Sequence, residues 1–325
     1  MPLRPRIAVV TTSYPSGPDD PSGHFVAAEA ASLARGGAQV VVLHPGEAPG
    51  VQPEGVRAVP LGASALFGWP GVLATLRRRP WRLLWLVPFV VAARRALRRL
   101  GPFDLVQGHW LVPTAWPLLA GCNGPMELIA HGSDVALLRK LPRWLLSPWG
   151  RVLRRPGVRL RCVSRQLAEA LREAFGELAQ PVEIRPCALA LGAVPAKPDA
   201  RAELHLAPGR AVLVVVGRLI ATKRVEVALS AAELLPDVDL YVLGDGPERA
   251  ALQARFPRVT FLGLLPRPTA LLWLSAADVL LSASRLEGAP TAIREALALG
   301  TPVVAFPCGD LQDWARTEPL LHLYR

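Results

Sequence analysis

The chain has 325 residues, 51% hydrophobic and 19% charged, which excludes a disordered or collagen-like polymer and suffices for one large core or two ordinary ones. Its formal net charge of +11 is uneven: residues 1–187 carry 23 basic and 12 acidic side chains, the remainder 14 of each. Four isolated cysteines, Cys122, Cys162, Cys187 and Cys308, have neither zinc-site nor disulfide-framework spacing and suit a reducing compartment; the first six residues lack signal-peptide anatomy.

Residues 7–12 read as a buried strand, 13–23 as a loop rich in Pro, Gly and Asp, 25–35 as a helix stopped by Gly36 and Gly37, and 39–43 as a second strand. This is a parallel α/β unit. The longest uncharged apolar run, 83–93, contains Pro88 and is too short to span a bilayer. Buried strands are expected at 104–107, 127–130 and 159–164, the last leading into a helix over 166–175. Two stretches, 77–99 and 135–168, hold basic residues and no acid, a pattern suited to nucleic acid, an anionic membrane surface or a phosphorylated substrate.

Residues 188–209, rich in Ala, Pro and Gly, read as a linker with a short helix at 200–204. A second α/β series follows, with strands at 211–216, 239–243, 259–262, 279–282 and 302–306 and helices at 225–234, 247–256, 269–276 and 290–299. The expected architecture is two Rossmann-like doubly wound α/β domains, residues 1–187 and 210–325, facing across a cleft.

No HExxH or GxSxG signature is present. Gly244-Asp245-Gly246-Pro247 begins like a dinucleotide loop, but Arg249 stands where the third glycine belongs and Pro247 removes an amide, so a strand-to-helix turn is the better account. Residues 277–306 carry more chemistry. Glu287 falls in a loop after a strand and Glu295 a turn and a half into the next helix. Gly288 permits close approach to the backbone, and the helix start at Pro290 and Thr291 offers partial positive charge to an anion. That set suits a sugar phosphate. On spacing alone, a solvated helix charge beside a loop charge explains it equally well.

This stretch resembles the Glu-x7-Glu signature of the retaining glycosyltransferases of family 4, whose fold is of GT-B type. Residues 216–223, Val-Gly-Arg-Leu-Ile-Ala-Thr-Lys, resemble that family's Gly-Arg…Lys element, and 243–248 its Gly-Asp-Gly-Pro turn. Phe261-Leu262-Gly263 resembles the strand whose following backbone meets the base. His131-Gly132-Ser133-Asp134 resembles the family's His-Gly-Ser-Asp element, and residues 12–33, with Gly23, His24, Phe25 and Glu29, its opening loop and helix.

The resemblance implies roles. Arg218 and Lys223 bind the donor diphosphate and stabilise it as it departs, with Gly23, Pro290 and Thr291 beside it. Glu295 takes the ribose hydroxyls and Leu264 lies at the base. Gly288 and Ala289 lie at the donor sugar, Glu287 faces that sugar and its developing charge, and His131 reaches across the cleft to the sugar or its phosphate. The family transfers sugar from a nucleotide-diphosphate donor with retention, needs no metal, and is usually assigned a front-face mechanism. Its C-terminal return helix is expected to be absent here, because residues 308–313 lead directly to Arg325.

For the acceptor, Trp81, Trp85, Trp110, Trp144 and Trp149 lie among or near the arginines and suit the headgroup region of an anionic membrane. The expectation is a cytoplasmic enzyme, peripheral at the inner face of the cell membrane, acting on a lipid-linked or saccharide acceptor in cell-envelope polysaccharide or glycolipid synthesis. Nucleic acid is not an expected partner, since no binding module accompanies the charge. The alternative is a truncated, non-catalytic nucleotide-sugar-binding protein of the same fold.

Overall fold

The computed structural model describes residues 4–17, 19–62, 64–67, 72–178 and 180–324; the side chains of Leu73, Ala74 and Arg77, the last a member of the first basic stretch, lie outside the described residues. Two compact units form, Met1–Ala188 and Leu189–Arg325, each wound around one parallel sheet.

In the first unit the strands are β1 (Arg6–Val10), β2 (Gln39–His44), β3 (Val56–Pro60), β4 (Leu105–His109), β5 (Met126–Ala130), β6 (Val158–Cys162) and β7 (Glu183–Ile184). Their order is β3-β2-β1-β4-β5-β6-β7, so the chain runs outward from β1 and then returns to lay β4 beside it. Ala8, Val9 and Val10 are wholly buried, as expected of a central parallel strand covered on both faces. The helices are α1 (His24–Arg35), α2 (Val72–Arg78), α3 (Leu86–Leu100), α4 (Ser133–Leu138), α5 (Ser147–Leu153) and α6 (Arg165–Phe175). Ser164 caps α6 by accepting from Leu167 N. The short edge strands β3 and β7 were not expected; Glu183 and Ile184 are both exposed, so no apolar run marks β7.

The second unit contains α7 (Lys197–Glu203), β8 (Ala211–Val216), α8 (Val225–Ala232), β9 (Val238–Leu243), α9 (Arg249–Arg255), β10 (Thr260–Gly263), α10 (Arg267–Ala276), β11 (Val279–Ser282), α11 (Thr291–Ala298), β12 (Val303–Ala305), α12 (Leu311–Trp314) and β13 (Leu321–Leu323). The sheet order is β10-β9-β8-β11-β12-β13, all parallel. Alternate residues of β8 enter opposite cores. Val212 and Val214 pack with Leu280 and Ile293, whereas Leu213 and Val215 pack with Leu229 and Val242. Residues 307–324, unassigned from sequence, add α12 and a sixth strand, β13, paired with β12.

Residues 189–209, expected as a linker, fold onto the second unit. Ala200 of α7 packs on Leu272 and Ala276 of α10. Lys197 pairs with Asp278 at 2.5 Å, Arg201 pairs with the same carboxylate, and Ser275 Oγ donates to Pro195 O at 2.6 Å. Lys197 is therefore a second folded lysine of this unit beside Lys223.

Candidate functional site

In open parallel sheets, ligands sit outside the carboxyl ends of the strands where the order reverses. In the second unit that point lies between β8 and β11, and the loops leaving both strands carry the expected residues. Gly217 and Arg218 follow β8, Arg218 being exposed. A single 3-10 turn, Ala221–Lys223, then presents Lys223, whose Nζ donates to Glu287 Oε1 in the loop after β11. Lys223 and Glu287 thus form a partly exposed ion pair, 22% and 14% accessible.

The pair is fixed by its neighbours. Arg224 takes a left-handed conformation (φ 46°), donates from Nε to Ala283 O at 2.8 Å, and lays its guanidinium 4.1 Å from the centre of the Phe306 ring. Arg285 N donates to Thr222 O at 3.0 Å. The glycines of the Gly-Asp-Gly-Pro turn serve chain packing: a Cβ on Gly244 would lie 1.9 Å from Gly217 O, and one on Gly246 2.3 Å from Leu219 O. Leu219 N donates to Asp245 O, and Glu248 N to Leu219 O, which delays the start of α9 to Arg249.

Glu295 is buried on α11, and Arg267 Nη1 donates to its Oε1 at 2.5 Å. Arg267 also donates from Nη2 to Ala190 O at 2.8 Å. No sequence signal singles out Arg267, which is one arginine among 34. The two glutamates of the signature therefore engage different cations, Lys223 and Arg267. Pro290 is buried before α11, Thr291 is its first residue, and Gly288 and Ala289 are half-buried ahead of it. Leu264, just past β10, is exposed.

In the first unit, Gly23 precedes α1 with φ 65°, and a Cβ there would lie 2.3 Å from Ser13 O. His131 follows β5 and is half-buried against Phe25 and Trp110, with ring centroids 5.1 and 4.6 Å away. Asp134 shapes its turn: Oδ1 accepts from His131 N at 3.1 Å and Gly132 N at 2.9 Å, and Oδ2 accepts from Leu111 N at 2.8 Å. Burial raises Asp134 above the usual carboxylate range despite these bonds.

Behind His131 lies a polar network that motif reading missed. Its Nε2 lies 3.0 Å from His109 Nδ1, and His109 Nε2 lies 3.1 Å from Gln107 Oε1. Gln107 Nε2 donates to Glu127 Oε2 at 2.6 Å. Arg161, fully buried, donates from Nη1 to Glu29 Oε1 at 2.7 Å, stands 3.7 Å from Glu127 Oε1, and reaches Cys187 Sγ at 3.8 Å. Arg185 adds a second guanidinium to both glutamates. Burial pushes Glu29 up, but Arg161, Ala188 N and Arg185 together hold it below the ordinary value. Burial, reinforced by the Arg161 charge, lowers His109 to about 3; burial, then His109 and Arg161, lower His131 as well.

Among the described residues, His109, His131 and Cys187 bring ligand-type atoms within 4.8 Å of one another. A divalent cation fits them poorly. It would displace the His109–His131 bond and stand beside the buried Arg161 guanidinium.

The tryptophans divide. Trp149 is buried with Nε1 donating to Leu111 O at 3.0 Å, and Trp110 is half-buried, so these two belong to the interior rather than to the expected surface. Trp81, Trp85 and Trp144 are exposed. Several arginines of the basic stretches are likewise structural: Arg82, Arg94 and Arg155 donate to backbone carbonyls, and Arg161 is the centre of the buried network.

Two doubly wound parallel sheets, the second with paired cations and carboxylates at its strand-order reversal, define the GT-B class of glycosyltransferase folds. The chain belongs to glycosyltransferase family 4: the model of that family matches residues 22–191, and the model of the glycosyl transferases group 1 matches 210–320. It is similar to TuaC of Bacillus subtilis, a candidate teichuronic acid biosynthesis glycosyltransferase, at 30% identity over 73% of this chain. The match spans 62% of that relative's length. In fold it is similar to sucrose-phosphate synthase from Thermosynechococcus elongatus (TM-score 0.80, 21% identity, 98% of this chain and 86% of that one). It is also similar to Anabaena HepE in complex with UDP-glucose (TM-score 0.65, 18% identity, 95% and 82%).

Proposed function

We propose that the chain is a retaining glycosyltransferase that moves a sugar from a nucleotide-diphosphate donor to a lipid-linked or saccharide acceptor in cell-envelope polysaccharide or glycolipid synthesis. The observation that carries the reading is the Lys223–Glu287 pair held at the β8/β11 reversal, with Arg218 on the same loop as Lys223 and the α11 N-terminus just after Glu287. An incoming diphosphate exchanges the carboxylate partner of Lys223 for phosphate oxygens and releases Glu287 towards the donor sugar. Arg218, Lys223 and the helix end then stabilise the leaving diphosphate without a metal ion. Glu295, oriented by Arg267, takes the ribose hydroxyls, and Leu264 lies at the base. Retention rests on the family pattern.

The reading extends to a peripheral position at the cytoplasmic face of the membrane. Among the described residues no helix is long and apolar enough to cross a membrane. Trp81, Leu83, Leu84 and Trp85, in the 3-10 segment Pro80–Trp85, and Val87, in the first turn of α3, are exposed next to exposed Arg78 and Arg79. Apolar and aromatic side chains flanked by arginine suit an anionic interface.

Thermal unfolding with UDP, GDP, ADP and their sugar conjugates tests the donor site. One nucleotide at 100 times its dissociation constant adds about 2.7 kcal/mol, and the gain disappears in Glu295→Ala. No stabilisation by any of them overturns the site. Stabilisation without transfer to any acceptor favours a nucleotide-sugar-binding protein that is not an enzyme. Trp81→Glu with Trp85→Glu abolishes sedimentation with phosphatidylglycerol vesicles if the run is the membrane contact.

A further inference from the structure

The chain of side chains behind His131 has one consistent hydrogen-bonding pattern. It starts at Glu127, a carboxylate with Arg161 and Arg185 guanidinium groups 3.7 and 3.6 Å from Oε1. A carboxylate so placed only accepts, so the Gln107 atom 2.6 Å from Oε2 is the amide nitrogen; the flipped amide would set oxygen against oxygen. The Gln107 carbonyl oxygen therefore faces His109 Nε2 at 3.1 Å, and because it can only accept, that nitrogen carries the proton.

In a neutral ring the other nitrogen is then bare. His109 Nδ1 is an acceptor, and its partner at 3.0 Å, His131 Nε2, donates to it. The ring geometry agrees. The two ring planes are 15° from parallel, and centroids 5.1 Å apart with the facing nitrogens at 3.0 Å put those nitrogens nearly on the line between the ring centres, as an N–H···N bond requires. Burial and the nearby Arg161 charge disfavour a proton on either ring, which keeps both neutral. The remaining nitrogen, His131 Nδ1, has no hydrogen-bond partner among the described residues.

We propose that Gln107 and His109 are positioning residues that lock His131 in its Nε2-protonated tautomer, so that Nδ1 is a hydrogen-bond acceptor for a substrate hydroxyl and cannot donate to a phosphate oxygen. The substrate side of this inference rests on the glycosyltransferase function proposed above and on His131 facing the donor, as the family resemblance implies. The tautomer itself rests on the chain of contacts alone. It decides between the two partners that the family resemblance leaves to His131, sugar or phosphate, because phosphate oxygens demand a donor.

The test needs no substrate. In protein labelled with nitrogen-15 at histidine, long-range proton–nitrogen spectra distinguish protonated from bare ring nitrogens, and His131→Gln and His109→Gln assign the two rings. At near-neutral pH both rings show a protonated Nε2 and a bare Nδ1. In Gln107→Met, His109 loses its fixed acceptor, and the His131 nitrogen shifts move towards the average of two tautomers while its neighbours' backbone signals stay in place. A merely structural role for Gln107 lowers stability without moving those nitrogen shifts. A protonated Nδ1 on His131 in the unsubstituted protein overturns the proposal, whether or not the Gln107 variant folds. So does an unchanged His131 tautomer in a folded Gln107→Met. Because the reading is taken without donor or acceptor, failure of glycosyl transfer and failure of the relay are separate results.

Discussion

The two sheets share the order 3-2-1-4-5-6 in their own strands, yet the charge clusters built on them are set in opposite ways. In the first unit, Arg161 on β6 has no exposure and Glu29 on α1 is 3% exposed, so the two charges meet inside the fold. Beside β8 and β11 of the second, Lys223 and Glu287 remain partly in water. A buried charge set tolerates no missing member, because the partner left behind has no solvent to turn to. A half-exposed pair exchanges its partner for water or an anion at small cost. In the function proposed, the first unit offers a prearranged histidine on a buried network, and the second offers cations that open to a ligand.

The contrast breaks most easily at Arg161. Arg161→Leu leaves the buried Glu29 and Glu127 with the half-exposed Arg185 in place of a buried guanidinium and lowers stability by about 3–5 kcal/mol in urea titration. A loss below about 1 kcal/mol would erase the distinction between the units. Next in size is Gly246→Ala, which forces a Cβ against Leu219 O and costs about 1–3 kcal/mol by the same measurement. A neutral result would mean that the two turns of the second unit part readily.

Acid sharpens the comparison with a definite sign. His109 falls from its ordinary 6.5 to about 3 in the fold, so below about pH 6.5 the unfolded chain takes up protons that the folded one refuses. Stability contributed by the neutral ring is complete above that pH and drains away as pH falls towards 3; His131 acts in the same direction. Urea midpoints measured across this range decline, and His109→Gln flattens the decline. An equal slope in both proteins would place the acid sensitivity elsewhere. The smallest change in stability is expected for Lys223→Ala, at most about 1 kcal/mol, because its pair is partly solvated. The same variant loses stabilisation by nucleotide, so its two readouts separate.

Much of this was legible before any fold was known. The apolar runs of β1, β5, β8 and β11 mark themselves, since strands buried on both faces have no polar side to disguise them. Arg218, Lys223, Glu287 and Glu295 stand out through resemblance to the family's motifs, since spacing alone leaves them readable as ordinary surface charges. Edge strands do not: β7 has no buried residue, and β13 follows a segment whose helix is only four residues long. Trp149 looked like surface because it lies among arginines, whereas its indole N–H finds a buried carbonyl.

By itself the sequence determined the central strands and helices and the class of fold, because period is a local property, and the family resemblance marked the acidic and basic residues expected at the donor. Only the tertiary structure decided which charges meet. Arg267 lies 28 residues from Glu295, and Arg161 lies 132 from Glu29. Gln107 and His109 gain significance solely through Glu127 and His131 on the neighbouring strand and its loop. Parallel sheets bring such residues together through crossovers, and no spacing along the chain announces a contact that a crossover makes.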